Sequence, residues 1–212
     1  MSINKEQLAY EGLDGESDPA TGGFVLPGMI GYSPGIGLPF DPQQARDLLI
    51  QAGYPNGQGL PNLVISWHSE NRIIRNVIEQ WKTNLNVKVD FRLLEWKEVI
   101  EEFQQGKFGY LFYGGATYDG ETDGYDVIRV GVRLFLPTWH NEAFDHLMEE
   151  AKQISRIIDR QPLTQQSDKI LINDAGVLPL LYERDHYLVK PWVKFPHGFN
   201  PRVLKDIIIE PH

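Results

Sequence analysis

The alternation of apolar strands and amphipathic helices between residues 62 and 115 is the most restrictive feature of this sequence. The apolar run NLVISWH is followed by an amphipathic segment, the alternating VKVDFRLLEW, a second amphipathic segment and the short apolar run FGYLFYGG. Apolar residues three and four apart predict helices, and continuous or alternating apolar runs predict strands. A β-α-β-α-β order predicts parallel strands with right-handed crossovers. We therefore predict an α/β fold with a mostly parallel open sheet flanked by helices.

The stretch 41–61, DPQQARDLLIQAGYPNGQGLP, leads into the first of these strands. Asp41 is a favourable N-cap, and Pro42 stands where helices tolerate proline best. Gly53 and Pro55 end the helix, and the Asn-Gly pair after them predicts a turn. The helix carries apolar residues at i, i+3, i+4 and i+7, which predict one buried face: Ala45, Leu48, Leu49 and Ala52.

Other parts of the chain give weaker local signals. The Gly- and Pro-rich segment 11–40 predicts a long surface loop. Helical patterns cover 125–130, 141–155 and 159–176, the last with Asp159 as its N-cap. Residues 177–195 predict extended chain with a break at Pro179, and 204–210 predict a terminal strand.

Composition excludes several classes of function. The net charge is −9, which disfavours generic binding to nucleic acids or anionic membranes. The chain has no cysteine, so neither disulfides nor thiolate chemistry is available. No apolar run approaches the roughly 20 residues of a membrane span. The first 15 residues lack the basic and apolar regions of a signal peptide.

The sequence contains no motif of a familiar catalytic centre. It lacks a P-loop, a Gly-x-Ser-x-Gly elbow and a His-Glu-x-x-His helix. Glu142 and His146 are four residues apart on a predicted helix, but two ligands without a third favour a solvated helix face over a metal site. We therefore expect no catalytic residues, no metal and no cofactor.

The glycine-rich loop after the third strand is the best candidate for a ligand site. In open α/β sheets, ligands bind outside the carboxyl ends of the strands. Residues 112–126, FYGGATYDGETDGYD, combine glycines with tyrosines and acceptors, and Trp67 and His68 stand at the end of another predicted strand that could line the same edge. A plain surface loop, with Trp67 in the core, is the alternative. The candidate ligand-binding residues are Trp67, His68, Tyr113, Gly115, Thr117, Tyr118 and Asp119.

Several motifs together resemble the C-terminal lobe of bacterial extracellular solute-binding proteins of family 5, the peptide/nickel class that serves ABC importers. INKEQLAYEGLDGESDPATGGFVLPGMIGYSP is similar to the family's AIDRE…G…PA…PPGMPGY.P segment, and PFDPQQARDLLIQAGYPNGQGLP to its PYDPEKAR.LLAEAGYPNG.GFP. VIEQWKTNLNVKVDFRLLEW resembles Q..W…LGI.V….EW, and LPLLYERDHYLVKPWVKF resembles PLYY…LVKPWVKG. The AGYPNG and KPWVK matches are the most specific.

The resemblance implies one lobe of a type II periplasmic binding protein, a two-lobed trap that closes on its ligand without catalysis. Residues 1–184 would form the lobe, and 185–212 would be the return segment that crosses to the missing N-terminal lobe. The partners implied are a peptide or oligosaccharide and ABC transporter permease subunits. The full-length protein would be periplasmic, or extracellular and membrane-anchored.

One position departs from the family's pattern. Peptide binders carry W-x-A-D-Y, whose Asp pairs with the peptide's free amine, whereas this chain has GGATY at 114–118. Thr117 stands at the Asp position, and a neutral hydroxyl binds an ammonium group less strongly than a carboxylate does. An oligosaccharide would therefore suit Tyr113, Thr117 and Tyr118 as well as a peptide would.

Two other functions stay open at this point. The segment YLVKPWVKF, if uncovered, could pair edge to edge, so the chain could be an interaction module or a homodimer. A hydrolase using the acidic loop 119–126 is disfavoured, because no nucleophile or metal set accompanies the acids.

Overall fold

The computed structural model describes residues 1–70, 72–104, 111–112, 123–136, 138–184, 188–195 and 207–211. The helices in that part of the chain are α1 (Lys5–Leu13), α2 (Pro42–Gln51), α3 (Arg72–Leu85), α4 (Trp96–Gln104), α5 (Gly124–Phe135), α6 (Glu142–Lys152) and α7 (Ile157–Asn173). The strands are β1 (Ser17–Pro19), β2 (Leu63–Trp67), β3 (Val89–Leu93), β4 (Leu111–Phe112), β5 (Leu181–Glu183), β6 (Val193–Lys194) and β7 (Ile208–Ile209).

The predicted parallel sheet is confirmed. Its order is β3-β2-β4, so the first strand of the alternating region lies in the middle. β2 pairs with β3 from Leu63↔Val89 to Trp67↔Leu93. On its other side, β2 pairs with β4 through Ser66↔Phe112. The carboxyl ends of all three strands therefore meet at one edge of the sheet.

Helix α3 packs against two apolar clusters at once. Ile74 lies with Ile65 of β2 and Val89 of β3 under the sheet. Ile73 and Val77, on the adjoining side of the same helix, contact Ile3 and Leu8 at the N-terminus. The dense apolar spacing of RIIRNVIEQW serves both faces, so α3 joins α1 to the sheet.

A third apolar cluster joins α5, α6 and α7 to the loop that follows β1. Its buried members include Val25 from the loop, Ile128 from α5, Phe144 from α6 and Leu171 from α7. Val25 and Ile128 are fully buried. The loop is thus part of the core of this helical layer.

Two small antiparallel sheets complete the fold. β1 pairs with β5 through Ser17↔Glu183, which joins residues far apart in the chain. β6 pairs with β7 through Val193↔Ile209. Among the described residues, no helix combines the length and the apolar character needed to cross a membrane.

The segment 11–40 differs in part from the surface loop predicted for it. The end of α1 and all of β1 lie inside the segment. Most of the remainder is irregular, as expected, but Ala20 and Val25 are fully buried. The apolar side chains of this segment pack inward because Val25 joins one cluster with residues of α5, α6 and α7.

Two predicted helix features also differ. Asp41 caps α2 as expected, since its Oδ1 accepts from Gln44 N at 2.9 Å, but no residue of α2 is buried. Leu48 is half exposed, and only Leu49 of the predicted face packs against the sheet cluster. In α7 the N-cap is Arg156, so Asp159 lies in the first turn. Acidic residues are favourable at both places, so residue type alone does not separate them.

Candidate ligand-binding site

Trp67 and His68 lie at the carboxyl end of the central strand β2. Trp67 is half-buried and packs against the sheet cluster, whereas His68 is exposed. Ser66, one residue earlier, pairs with Phe112, the last described residue of β4. The Trp67 ring thus contacts the core, in line with the core interpretation, and also contacts the exposed His68 ring.

Trp96 joins these two residues to form an aromatic cluster, by which we mean Trp67, His68 and Trp96. The ring centroids of Trp67 and His68 are 4.7 Å apart, and those of His68 and Trp96 are 5.0 Å apart. Trp67 and Trp96 meet edge to face at 5.9 Å. Trp96 is 56% exposed and neighbouring Leu93 is 64% exposed. The cluster thus presents an apolar, aromatic surface to solvent at the carboxyl edge of the sheet.

Local backbone bonds fix where Trp96 lies. Leu94 N donates to Trp67 O at 3.0 Å, which holds the end of β3 against the end of β2. Helix α4 then begins at once: Val99 N donates to Glu95 O, and Glu95 N donates to the Glu98 carboxylate at 2.8 Å. The bond from Glu95 N to the Glu98 carboxylate is one of the two bonds of a capping box. Trp96 is therefore the first residue of a capped helix.

A polar pair lies beside the cluster on the same strands. Arg92 Nε donates to Ser66 Oγ at 3.1 Å, and the Arg92 guanidinium also pairs with Glu102 of α4. Ser66 is buried. The pair ties α4 to β2 and β3, so it fixes the helix that carries Trp96.

The remaining predicted site residues lie outside the described part of the chain. These are Tyr113, Gly115, Thr117, Tyr118 and Asp119. The described residues on either side are Phe112, paired with Ser66, and Asp123, the N-cap of α5.

Asp123 is engaged in a buried ion pair. Its Oδ1 accepts from Asp126 N at 2.9 Å, and its Oδ2 accepts from Arg160 Nε at 2.8 Å. The Arg160 guanidinium also lies 4.7 Å from the centre of the Tyr125 ring. The side chains of Arg160 and Asp123 are only 15% and 4% exposed. Asp123 holds α5 against α7, which argues against its use as the acid or base of a hydrolase.

The two histidines near Glu142 lie beside other carboxylates. His146 Nδ1 lies 4.0 Å from Glu150, and His140 Nδ1 lies 2.8 Å from Asp145. Within the described ranges, no three His, Asp or Glu side chains are arranged to hold a metal ion.

Trp96 was not among the residues predicted from the sequence. The signal for it is its position directly after β3, because neighbouring parallel strands end at the same edge. Aromatic faces of this kind can stack on apolar rings and on planar groups, and they attract cations. The arrangement suits recognition of a ligand with a planar group or a cation.

Comparison with known families decides which class of protein this is. The family model described as bacterial extracellular solute-binding proteins, family 5, middle part, matches residues 1–126, more than half of the chain. This chain belongs to that family. The predicted resemblance is therefore confirmed, and membership of a family of binding proteins agrees with the prediction that the chain is not an enzyme.

Individual relatives of this family-5 chain cover most of its length. The dipeptide-binding protein of Pseudomonas aeruginosa is 24% identical over 94% of the chain and 38% of that relative. The probable deoxycholate-binding periplasmic protein YgiS of Escherichia coli is 27% identical over 100% of the chain and 42% of that relative. The chain thus spans about two fifths of the length of these relatives.

A solved structure supports the fold assignment. The murein tripeptide binding protein MppA of Escherichia coli superposes with a TM-score of 0.74 and 25% identity, covering 100% of this chain and 44% of that one. The predicted fold class, an α/β lobe of the type II periplasmic binding protein kind, is confirmed.

Proposed function

We propose that this family-5 chain is the ligand-binding lobe of a solute-binding protein that delivers peptides to an ABC importer, without catalysis. The observation that carries the proposal is the exposed aromatic cluster at the carboxyl edge of the sheet. Two of the three relatives described above are named for peptides. None of the three is named for an oligosaccharide, so peptide is the preferred ligand class.

The cluster would receive an apolar or aromatic side chain of the peptide. A ring would stack on the solvent-exposed part of Trp96, which is 56% exposed. Aromatic pairs contribute about 0.5–1.5 kcal/mol beyond the area they bury. The proposed contacts also include Tyr113, Gly115, Thr117, Tyr118 and Asp119, with Thr117 as a neutral acceptor where peptide binders carry Asp.

The lobe would work as part of a longer protein. We assign residues 1–184 to the lobe and 185–212 to a segment that reaches a second lobe. Leu188 is fully exposed and Ile209 is 69% exposed, as expected of side chains that another part of the protein covers. Such a protein would act in the periplasm and dock on ABC transporter permease subunits. The alternative location within this proposal is outside the cell, with the full-length protein anchored to the membrane.

Calorimetric titration of the 212-residue chain with two tripeptides tests the proposal. The probes are tri-alanine and its analogue with a central phenylalanine. Affinity should be weak, because one lobe supplies half the contacts, but the phenylalanine peptide should bind more tightly. Trp96→Ala should weaken binding of the phenylalanine peptide by up to about tenfold. A tenfold change in Kd corresponds to about 1.4 kcal/mol, which is the size of one aromatic stacking contact.

Trp96→Phe is the matched control, because it keeps a ring face at the same place. It should retain most of the affinity that Trp96→Ala loses. If Trp96→Ala and Trp96→Phe bound each peptide with the same affinity, and did not distinguish the two peptides, this result would contradict the role of the aromatic cluster. Binding of an oligosaccharide such as cellotriose, with no peptide binding, would overturn the ligand class. Light scattering during size-exclusion chromatography tests the dimerisation alternative, which predicts twice the monomer mass.

A further inference from the structure

Asp168, in the middle of α7, is a buried acid that lies outside the candidate ligand site. Its side chain is 0% exposed. Oδ1 accepts from Phe24 N at 2.8 Å, and the Val25 N–H lies close enough to lower the pKa of the carboxyl group. Among the described residues, Oδ2 has no hydrogen-bond partner. The carboxyl group thus anchors the loop after β1 to α7, with one oxygen unsatisfied.

The loop approaches the carboxyl group closely because residue 23 is glycine. A Cβ at Gly23 would overlap the Asp168 carboxyl atoms. The Tyr182 hydroxyl donates to Gly23 O at 2.7 Å from the other side, and Tyr32 packs edge-on against Tyr182 at 6.3 Å. The loop segment 22–25 is therefore held between α7 and β5.

None of the described residues places a cation beside Asp168 to compensate its charge. The phenol of Tyr182 interacts with this carboxyl group, and Tyr182 in turn contacts Tyr32. Lys5 reaches the same loop but donates to Ala20 O at 2.7 Å. In the described part of the chain, no Lys, Arg or His forms an ion pair with Asp168.

The two helices packed on α7 supply no partner either. α6 turns buried apolar residues toward α7, among them Phe144 and Met148. α5 contributes Tyr125, whose ring faces Arg160, and Arg160 is committed to Asp123. Burial raises the pKa of the Asp168 carboxyl to about 6, against the opposing effect of the two backbone donors.

We propose that Asp168 is a proton-binding site that couples the stability of this lobe to pH. As the solution is acidified from neutral pH, the native lobe takes up one proton at this carboxyl. The contact between segment 22–25 and α7 is favoured in the protonated form, because a neutral carboxyl loses less hydration on burial than a carboxylate does. This inference does not depend on the identity of the ligand.

The sign of the effect follows from proton linkage. The native pKa, about 6, lies above the ordinary value of 3.8, so between these pH values the native state binds more protons than the unfolded state. The stability that the protonated Asp168 carboxyl gives the native state is fully present below pH 3.8 and is lost as the pH rises through about 6. The difference between these two pKa values corresponds to roughly a 100-fold change in the unfolding equilibrium constant.

Comparison of the wild-type chain with Asp168→Asn by urea unfolding between pH 4 and pH 8 tests the proposal. Asparagine keeps the acceptor for Phe24 N but cannot titrate. The ratio of the two unfolding constants should change about 100-fold across this range, with the wild type losing stability relative to the variant as the pH rises. Asp159→Asn, on the exposed first turn of the same helix, is the control and should leave the pH profile parallel to that of the wild type.

A second measurement needs no variant. Carbon-13 NMR of the side-chain carboxyl groups in the folded wild-type chain should show Asp168 titrating with a midpoint near 6. A midpoint below 5, or a constant ratio of unfolding constants between the wild type and Asp168→Asn, would overturn the proposal.

Discussion

Two buried aspartates in this lobe are accommodated in opposite ways. Asp123 has Arg160 beside it and caps a helix, so it is a compensated anion. Asp168 has only backbone donors and one unsatisfied oxygen. The physical difference is the guanidinium beside Asp123, for which Asp168 has no counterpart among the described residues.

Removing the cation from the compensated pair should be costly. Arg160→Met leaves Asp123 buried without its partner, and loss of one member of a buried pair destabilises by about 3–5 kcal/mol. Urea unfolding measures the effect. Arg156→Met is the matched control on the same helix, since Arg156 pairs with Asp159 at 3.4 Å on the exposed surface. The control should cost less than about 1 kcal/mol, and equal losses in the two variants would contradict the assignment.

At the scale of residues, local pattern identified only part of the aromatic cluster. Trp67 and His68 were predicted from the strand they end, and Trp96 follows from the next strand by the same rule. Pairing of Arg160 with Asp123 joins residues 37 positions apart. No local periodicity encodes such a contact, because it depends on how α5 and α7 pack.

At the scale of elements, the turn between α2 and β2 shows two different uses of glycine. Gly53 follows the end of α2 with φ +90°, in open space. Gly57 has φ +72°, and a Cβ there would lie 2.6 Å from Asn86 O. The single 3-10 turn Pro55–Gly57 is therefore packed against the end of α3, with Asn86 Nδ2 donating to Asn56 O at 3.0 Å.

These two glycines should respond differently to substitution. Gly53→Ala should cost about 1–2 kcal/mol, the strain of a left-handed conformation. Gly57→Ala should cost more than this, since the Asn86 carbonyl must also move. Thermal unfolding of both variants under one set of conditions gives the comparison. If Gly57→Ala lost no more stability than Gly53→Ala, the Asn86 carbonyl would be able to move away from the new Cβ at little cost.

The sequence predicted where elements lie better than which faces they bury. The cap of α2 at Asp41 and its stop at Gly53 are local chemistry and are confirmed. The buried face predicted for α2 was wrong, because α2 lies over the outer side of α3, where only Leu49 reaches the sheet cluster. Apolar spacing identifies the face of a helix that can be buried, whereas the packing of neighbouring elements determines how much of that face is buried.

At the scale of the whole molecule, three apolar clusters hold the described elements together. Two of them share α3, and the third binds α5, α6 and α7 to the loop after β1. β6 and β7 contribute to none of these buried clusters, and both residues of β7 are exposed. Stability is therefore expected to be uneven along the chain.

Amide hydrogen exchange followed by mass spectrometry should reveal this unevenness. Regions with few buried contacts open locally at low free energy. Residues 191–195 and 208–210 should exchange much faster than α3 and α7, which supply fully buried side chains to the clusters. Protection of β6 and β7 equal to that of α7 would contradict the expectation. Slowing of β6 and β7 in a longer chain would support the proposed contact with a second lobe.

Topology was predictable for the parallel sheet and unpredictable for the small sheets. The β-α-β-α-β order forces parallel strands, since each crossover is a helix. The pairing of β1 with β5 joins Asp18 to Tyr182, and neither three-residue strand has a periodic signal. Short strands of this kind are set by the packing of the elements around them.

The edge-to-face contact between Trp67 and Trp96 also has an optical consequence. Two indoles with centroids 5.9 Å apart and planes at 85° couple their electronic transitions. Such a pair should give an exciton couplet in circular dichroism, and anything that inserts beside either ring should perturb it. The lobe thus carries its own unlabelled reporter of occupancy at the carboxyl edge of the sheet.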